Sequence, residues 1–331
     1  MEKRLAKGVK YMKKGICFIL SAICLLGLTA CKKDSAELPQ HFPAQVENVT
    51  IDKRPEKVVS LSPNLTKIIY ELGLQSQLVG RSDEAASPEA VKELPSVGGS
   101  SEPEIQKILD LKPQIVLSQS PLAKKDVEVL SGAGIQLVVI PAAGTVEALE
   151  KLYSDTATVL DGKINGPAKA KLKYDEIQSG LKQITDLLPG KKSFLYLVSL
   201  DGTVATPDTF ESSVLSLFGQ NVAEGTGYST DLSAAKAKNP EVLFVSKPYA
   251  KQHLEKETKY KDFNAVKNSA VYSIDKETFA GQNEDLVDAA RLIAETLYPK
   301  IDFPTPDTST SQTSSGAKTS SAASGSTDTS K

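Results

Sequence analysis

The 331-residue sequence has no tryptophan, two histidines, two methionines and three cysteines, and these scarcities narrow its chemistry before any motif is considered. Both methionines and all the cysteines (Cys17, Cys24, Cys31) lie at or before residue 31. The remainder therefore has no disulfide framework and must be held by its core. His41 and His253 stand far apart, neither in metal-ligand spacing, and no cysteine is left to complete a zinc site. A serine nucleophile would lack an obvious base, and no G-x-S-x-G elbow is present. Phosphate loops of the dinucleotide and P-loop types are missing too. The formal net charge of −2 gives no electrostatic reason to bind nucleic acid. Catalysis is the minor reading, and binding is the major one.

What is present begins with a leader. Residues 1–30 are basic up to Lys14, apolar or small from Ile16 to Leu28, and end on Thr29-Ala30, the layout of a secretory signal. The apolar run is shorter than the roughly 20 residues a spanning helix needs. Leu28-Thr29-Ala30-Cys31 resembles the bacterial lipobox, whose cysteine takes a diacylglyceryl group. Cys31 is thus the lipidation candidate, with 31–41 as a polar tether and Met12 as an alternative start. Residues 304–331 form a Ser/Thr-rich tract without apolar periodicity, expected to be disordered.

Between these ends, strand and helix patterns alternate. "KVVSLSPNLTKIIYELG" (57–73) reads as a strand, a tight loop and a helix with Leu65, Ile68, Ile69 and Leu72 on one face and Gly73 at its stop. Ser62 or Asn64 is placed to cap that helix. Helix–proline–strand around Pro113, a further helix, and a strand at 135–140 complete an α/β lobe over 42–165. No strand is legible over 145–188. Pro167 can open a helix running from Ala168 to Leu188, and 166–189 is taken as a rigid bridge. The α/β pattern restarts over 190–303, with strands at 194–198, 242–245 and 271–274, a helix at 212–218 and a closing helix bearing Leu286, Ala290, Ile293 and Leu297. "LKPQIVLSQ" and "KNPEVLFVS" suggest a duplicated plan. The fold class expected is α/β: two Rossmann-like lobes joined by a single long helix, acting as a monomer.

Ligands of open α/β lobes sit beyond the carboxyl ends of the strands and between domains. Candidate contacts on such loops are Asn64, Arg81, Asp83, Gln119, Ser120, Thr206, Phe210, Tyr228, Lys247, Tyr249 and Phe279. Arg81 could meet a carboxylate, phosphate or amide, or form a salt bridge.

With these segments in place, the chain resembles the substrate-binding lipoproteins of bacterial ABC importers, in the cobalamin and ferric-siderophore group. "RPEKVVSLSPNLTKIIYELG", "LVGRSD", "ELPSVGG", "DTFESSVLSLFGQNVAE" and "NPEVLFVS" carry the likeness by their order and spacing. The resemblance implies a class III periplasmic-binding-protein fold with little lobe closure and no intrinsic cofactor. It implies a corrinoid or ferric chelate bound in the cleft, and delivery to a permease with a cytoplasmic ATPase. It further implies a lipid anchor at Cys31 that keeps the protein on the outer face of the membrane. Cobalamin is slightly favoured by "SLSPNLT" with "VGRSD", a ferric siderophore is second and haem third. An accessory surface role on the same scaffold is a further alternative. Relatives dock through one Glu per lobe, whereas this chain has Gln106 near the first such position and Ser233 or Ala234 near the second, with Glu104 and Asp231 close by as substitutes. It also lacks the aromatic that often follows "RSD".

Overall fold

A computed structural model describes residues 40–304. The signal segment, Cys31 and most of the Ser/Thr-rich tract lie outside the described residues. A short hairpin, β1 (Ala44–Val46) and β2 (Val49–Ile51), opens the fold. It precedes a four-stranded parallel sheet of β3 (Val58–Ser60), β4 (Leu78–Arg81), β5 (Ile115–Ser118) and β6 (Gln136–Val139). The spatial order is β4-β3-β5-β6. Helices α1 (Pro63–Glu71), α2 (Ile105–Leu111) and α3 (Lys124–Gly132) make the crossovers. Ser62 caps α1, accepting from Leu65 N at 3.2 Å.

The second sheet has β7 (Lys192–Leu197), β11 (Val242–Ser246) and β12 (Val271–Ile274) in parallel. Its other edge carries β8 (Val204–Ala205) and β10 (Tyr228–Ser229), which run antiparallel, while β9 (Gly219–Asn221) pairs with the start of β7. Around it lie α5 (Phe210–Leu215), α6 (Ser233–Lys238), two single-turn helices α7 (Lys251–Leu254) and α8 (Asn264–Lys267), and α9 (Asp285–Leu297).

Strand side chains alternate between two faces, and here both faces are covered, which is why the central strands read as unbroken apolar runs. Val58, Ile115, Leu117, Phe194, Tyr196, Val242 and Phe244 join one continuous core that also includes α1, α9 and the connecting helix. Val59 and Val116 pack on Ile108 and Leu130 across the first sheet, and Leu195, Leu243 and Val245 pack on Leu254 and Tyr260 across the second.

The connecting helix, α4 (Leu149–Thr185), is longer than the sequence suggests and is two helices in one. At Gly162 the backbone takes φ 81°, ψ 173°, a conformation only glycine adopts readily, and the axis breaks there. Asp161, buried at the end of the first segment, pairs with Lys169 of the second at 2.9 Å and with Arg54 at 3.4 Å. Past the break the two segments touch: a Cβ on Gly166 would lie 2.6 Å from Thr158 N. The second segment, from the break to Thr185, overlaps the helix expected over 168–188, and the first buries Leu149, Leu152, Tyr153 and Leu160.

The repeated helix–proline–strand plan is a structural duplication. Helices α2 and α6 each end on a left-handed residue, Lys112 (φ 50°) and Asn239 (φ 47°), followed by Pro113 and Pro240 and then a central strand. The next residue does the same work in each lobe. Gln114 Oε1 accepts from Lys57 N at 2.7 Å, and Glu241 Oε2 accepts from Ser193 N at 2.9 Å, each tying the start of the neighbouring strand.

Candidate ligand-binding cleft

The loops after the strands decide where a ligand can sit. In the first sheet the chain leaves β3 toward β4 on one side and returns to β5 on the other, so the loops after β3 and β5 diverge at a switch point. Ser62 and Gln119 stand there, with Ser62 Oγ donating to Gln119 Oε1 at 2.5 Å. The Nε2 of Gln119 is buried without a partner among the described residues. Ser120 is exposed beside it, and its backbone is fixed by Ser118 Oγ, which donates to Ser120 O at 2.6 Å.

Segments that follow the strand ends of one sheet meet those of the other. Asn64 Nδ2 donates to Ala280 O at 3.1 Å, and Asn64 Oδ1 accepts from Gln282 N at 3.1 Å and Asn283 Nδ2 at 3.0 Å. The buried Gln282 clasps Ala143 with both ends of its amide, at 2.7 and 2.9 Å. Ser213 Oγ accepts from Val146 N at 2.9 Å, and Lys67 pairs with Asp285. This polar seam puts the carboxyl ends of both sheets along one interlobe line. Two hollows, of about 10 Å³ against Phe194 and Phe218 and about 560 Å³ beside Leu187 and Phe303, lie away from these loops.

At the seam Glu71 accepts from the buried Tyr153 hydroxyl and, at 3.4 Å, from Glu284 N. Burial and the Glu284 charge push its carboxyl up to about 7, against the Tyr153 hydrogen bond and the Lys67 charge.

The expected contacts separate into two sets. Phe210 and Phe279 are buried in the main core, Phe279 packing on Tyr196 with ring centroids 5.6 Å apart; both are packing residues because their elements turn inward. Thr206 is fully buried, its single hydroxyl proton within reach of both Asp208 and, at 2.7 Å, Gly227 O. Asn64 neither caps α1 nor stands free, since the seam uses its whole amide. Arg81 forms no interlobe ion pair: its guanidinium donates to Val91 O at 3.0 Å and Ser82 O at 2.9 Å, ordering its own loop. Asp83, exposed, accepts from Ser96.

The second set is exposed or half-buried. Gln119 and Ser120 line the first lobe, while Tyr228, Lys247 and the half-buried Tyr249 line the second. Lys247 Nζ is 3.9 Å from Asp275, and Tyr228 Oη donates to Glu211 Oε1 at 2.8 Å. Sequence reasoning missed Gln282 and Glu211, and placed Ser62 in a candidate loop without its partner Gln119. Ser62 was visible as a helix cap, but the partners of the other two come only from the fold. No group of three or more His, Cys, Asp or Glu able to hold a metal ion occurs among the described residues.

Glu104 and Asp231 occupy equivalent places, just before α2 and α6. Glu104 is exposed and pairs with Lys107 at 2.7 Å. Asp231, also exposed, accepts from Ser233 N at 2.8 Å, and hydrogen bonds from the Ser233 side chain and backbone hold its carboxyl below its ordinary range. Gln106 is exposed and donates to Asp110 at 2.9 Å.

Two α/β lobes with polar strand-end loops along a shared seam define a two-lobed binding protein. The chain belongs to the periplasmic binding protein family, whose model matches residues 58–278. The uncharacterized ABC transporter substrate-binding lipoprotein YvrC of Bacillus subtilis is 29% identical over 305 residues, 85% of this chain and 95% of that protein. A vitamin B12-binding protein of Vibrio vulnificus is 26% identical over 233 residues, 62% of this chain and 77% of that one. Among solved structures, a possible iron-binding (periplasmic solute-binding) protein of Staphylococcus epidermidis superposes with a TM-score of 0.65 at 20% identity, over 74% of this chain and all of that one.

Proposed function

We propose that this protein is a lipid-anchored extracytoplasmic receptor, held through Cys31, that captures a metal chelate in the interlobe cleft and delivers it to an ABC permease with its ATPase. A corrinoid is the favoured cargo. The observation that carries the reading is the polar seam that joins segments following strand ends in the two lobes, Asn64 with Ala280, Gln282 and Asn283, and Gln282 with Ala143, with Ser62–Gln119 at the switch point of the first lobe. Such a cleft offers hydrogen bonds and ring faces to a large ligand. The relatives named for vitamin B12 and for ABC substrate binding support the same direction.

Calorimetric titration of the soluble chain with cyanocobalamin tests this. One-to-one binding, micromolar or tighter, is expected. Flat heats from a folded sample reject cobalamin and pass the test to ferric siderophores. Docking is assigned to Glu104 and Asp231, which hold matching positions in the duplicated units. The double variant Glu104→Gln/Asp231→Asn should bind chelate normally and lose uptake with the cognate permease; unchanged uptake would remove both residues from the docking face.

A further inference from the structure

Tyr228 is the one exposed aromatic side chain among the described residues, 56% accessible, on β10 at the edge of the second sheet. Its register partner is Ala205, just ahead of the loop that leads into α5. Glu211, the second residue of α5, accepts the phenol proton at 2.8 Å. To ligate ferric iron, a tyrosine must lose that proton so that an oxygen lone pair forms the Fe–O bond. A carboxylate acceptor works against this, because its charge stabilises the neutral phenol and repels the phenolate. Burial, then the hydrogen bond and charge of Glu211, push the Tyr228 phenol up to about 12.

Of the other side chains that bind an open iron position, the half-buried Tyr249 is the second tyrosine of this lining. No cysteine or methionine occurs after residue 31. His253 accepts from Ala250 N at 3.0 Å through Nδ1, so in the neutral ring Nε2 carries the hydrogen and has no lone pair for a metal.

Resting on the chelate-receptor reading, we infer that Tyr228, held protonated by Glu211, is a specificity-determining residue: it meets the cargo with its ring face and phenol oxygen and gives a metal no ligand of its own, so it suits chelates whose metal is already fully coordinated. Cobalamin and hexadentate ferric siderophores meet this requirement.

The test titrates the full chain with cyanocobalamin, a hexadentate ferric hydroxamate and haemin, reading the tyrosinate-to-iron(III) charge-transfer band for haemin. One saturated chelate should bind the wild type, and haemin should give no Tyr228-dependent band. Tyr228→Ala should weaken binding of that chelate by about fivefold, the scale of one lost aromatic contact, with the melting curve unchanged. Glu211→Arg, which replaces the acceptor with a cation, should let haemin develop the band, and Glu211→Arg/Tyr228→Phe should abolish it. A Tyr228-dependent band in the wild type, unchanged affinity in Tyr228→Ala, or no band in Glu211→Arg would each overturn the inference while leaving the receptor reading intact. Failure of all three ligands to bind would instead overturn the receptor reading itself.

Discussion

The two lobes share one plan at their centres and differ at their edges. In each, a short helix, a left-handed residue, a proline and a central parallel strand follow in the same order, and the residue after the proline ties down the neighbouring strand. The first sheet is parallel throughout, whereas the second adds the antiparallel pieces β8 and β10 at the edge that bears Tyr228. The difference shows where such a scaffold varies. Central strands are fixed by packing on both faces, while an edge strand contributes little core and can be reshaped to present a side chain.

The largest test of this comparison breaks the joint between the lobes. Gly166→Ala would drive a Cβ into the backbone of Ala157 and Thr158, so we expect a loss of at least about 3 kcal/mol, read by urea denaturation. Loss of a single transition would show that the lobes owe their common cooperativity to the packed kink.

The next sharpens the seam's part in holding unlike lobes together. Glu71 has an ordinary carboxyl value of 4.5 in the unfolded chain and about 7 when folded. Below the lower value both states carry the proton. Between the two values only the folded state keeps it, so stability falls as pH rises through this window and the full cost is present above it. The cost is on the order of 3 kcal/mol. Glu71→Gln should therefore be more stable than wild type at about pH 8 and flatten the dependence between about pH 5 and 7. Parallel pH profiles of the two proteins would rule out a shifted Glu71.

The smallest test concerns the shared centre. Gln114→Ala and Glu241→Ala should each cost about 1 kcal/mol and agree closely, as equivalents in a duplicated unit. A large disparity in denaturation midpoints would break the equivalence.

Most of the first lobe was legible because its elements carry period-3.6 or β-branched signals of sufficient length. Leu65, Ile68 and Ile69 are buried as the spacing implies, and Ser62 is the cap. The β1–β2 hairpin was not legible: its strands have three residues each, and the turn holds Glu47 at φ 49° without an Asn-Gly or Asp-Gly signal. Gly162 gave no sequence sign that it divides a helix. The site was legible as loops and only partly as residues. A loop aromatic such as Phe279 reads the same whether it faces a ligand or the core, and contacts between positions as distant as Asn64 and Gln282 depend on how both lobes are placed.

Gln282 holds the opposite lobe with both ends of a single amide. Parting the lobes at this point stretches the two bonds together. The contact thus acts as a two-point clamp between the lobes, resisting their parting more than a single bond would.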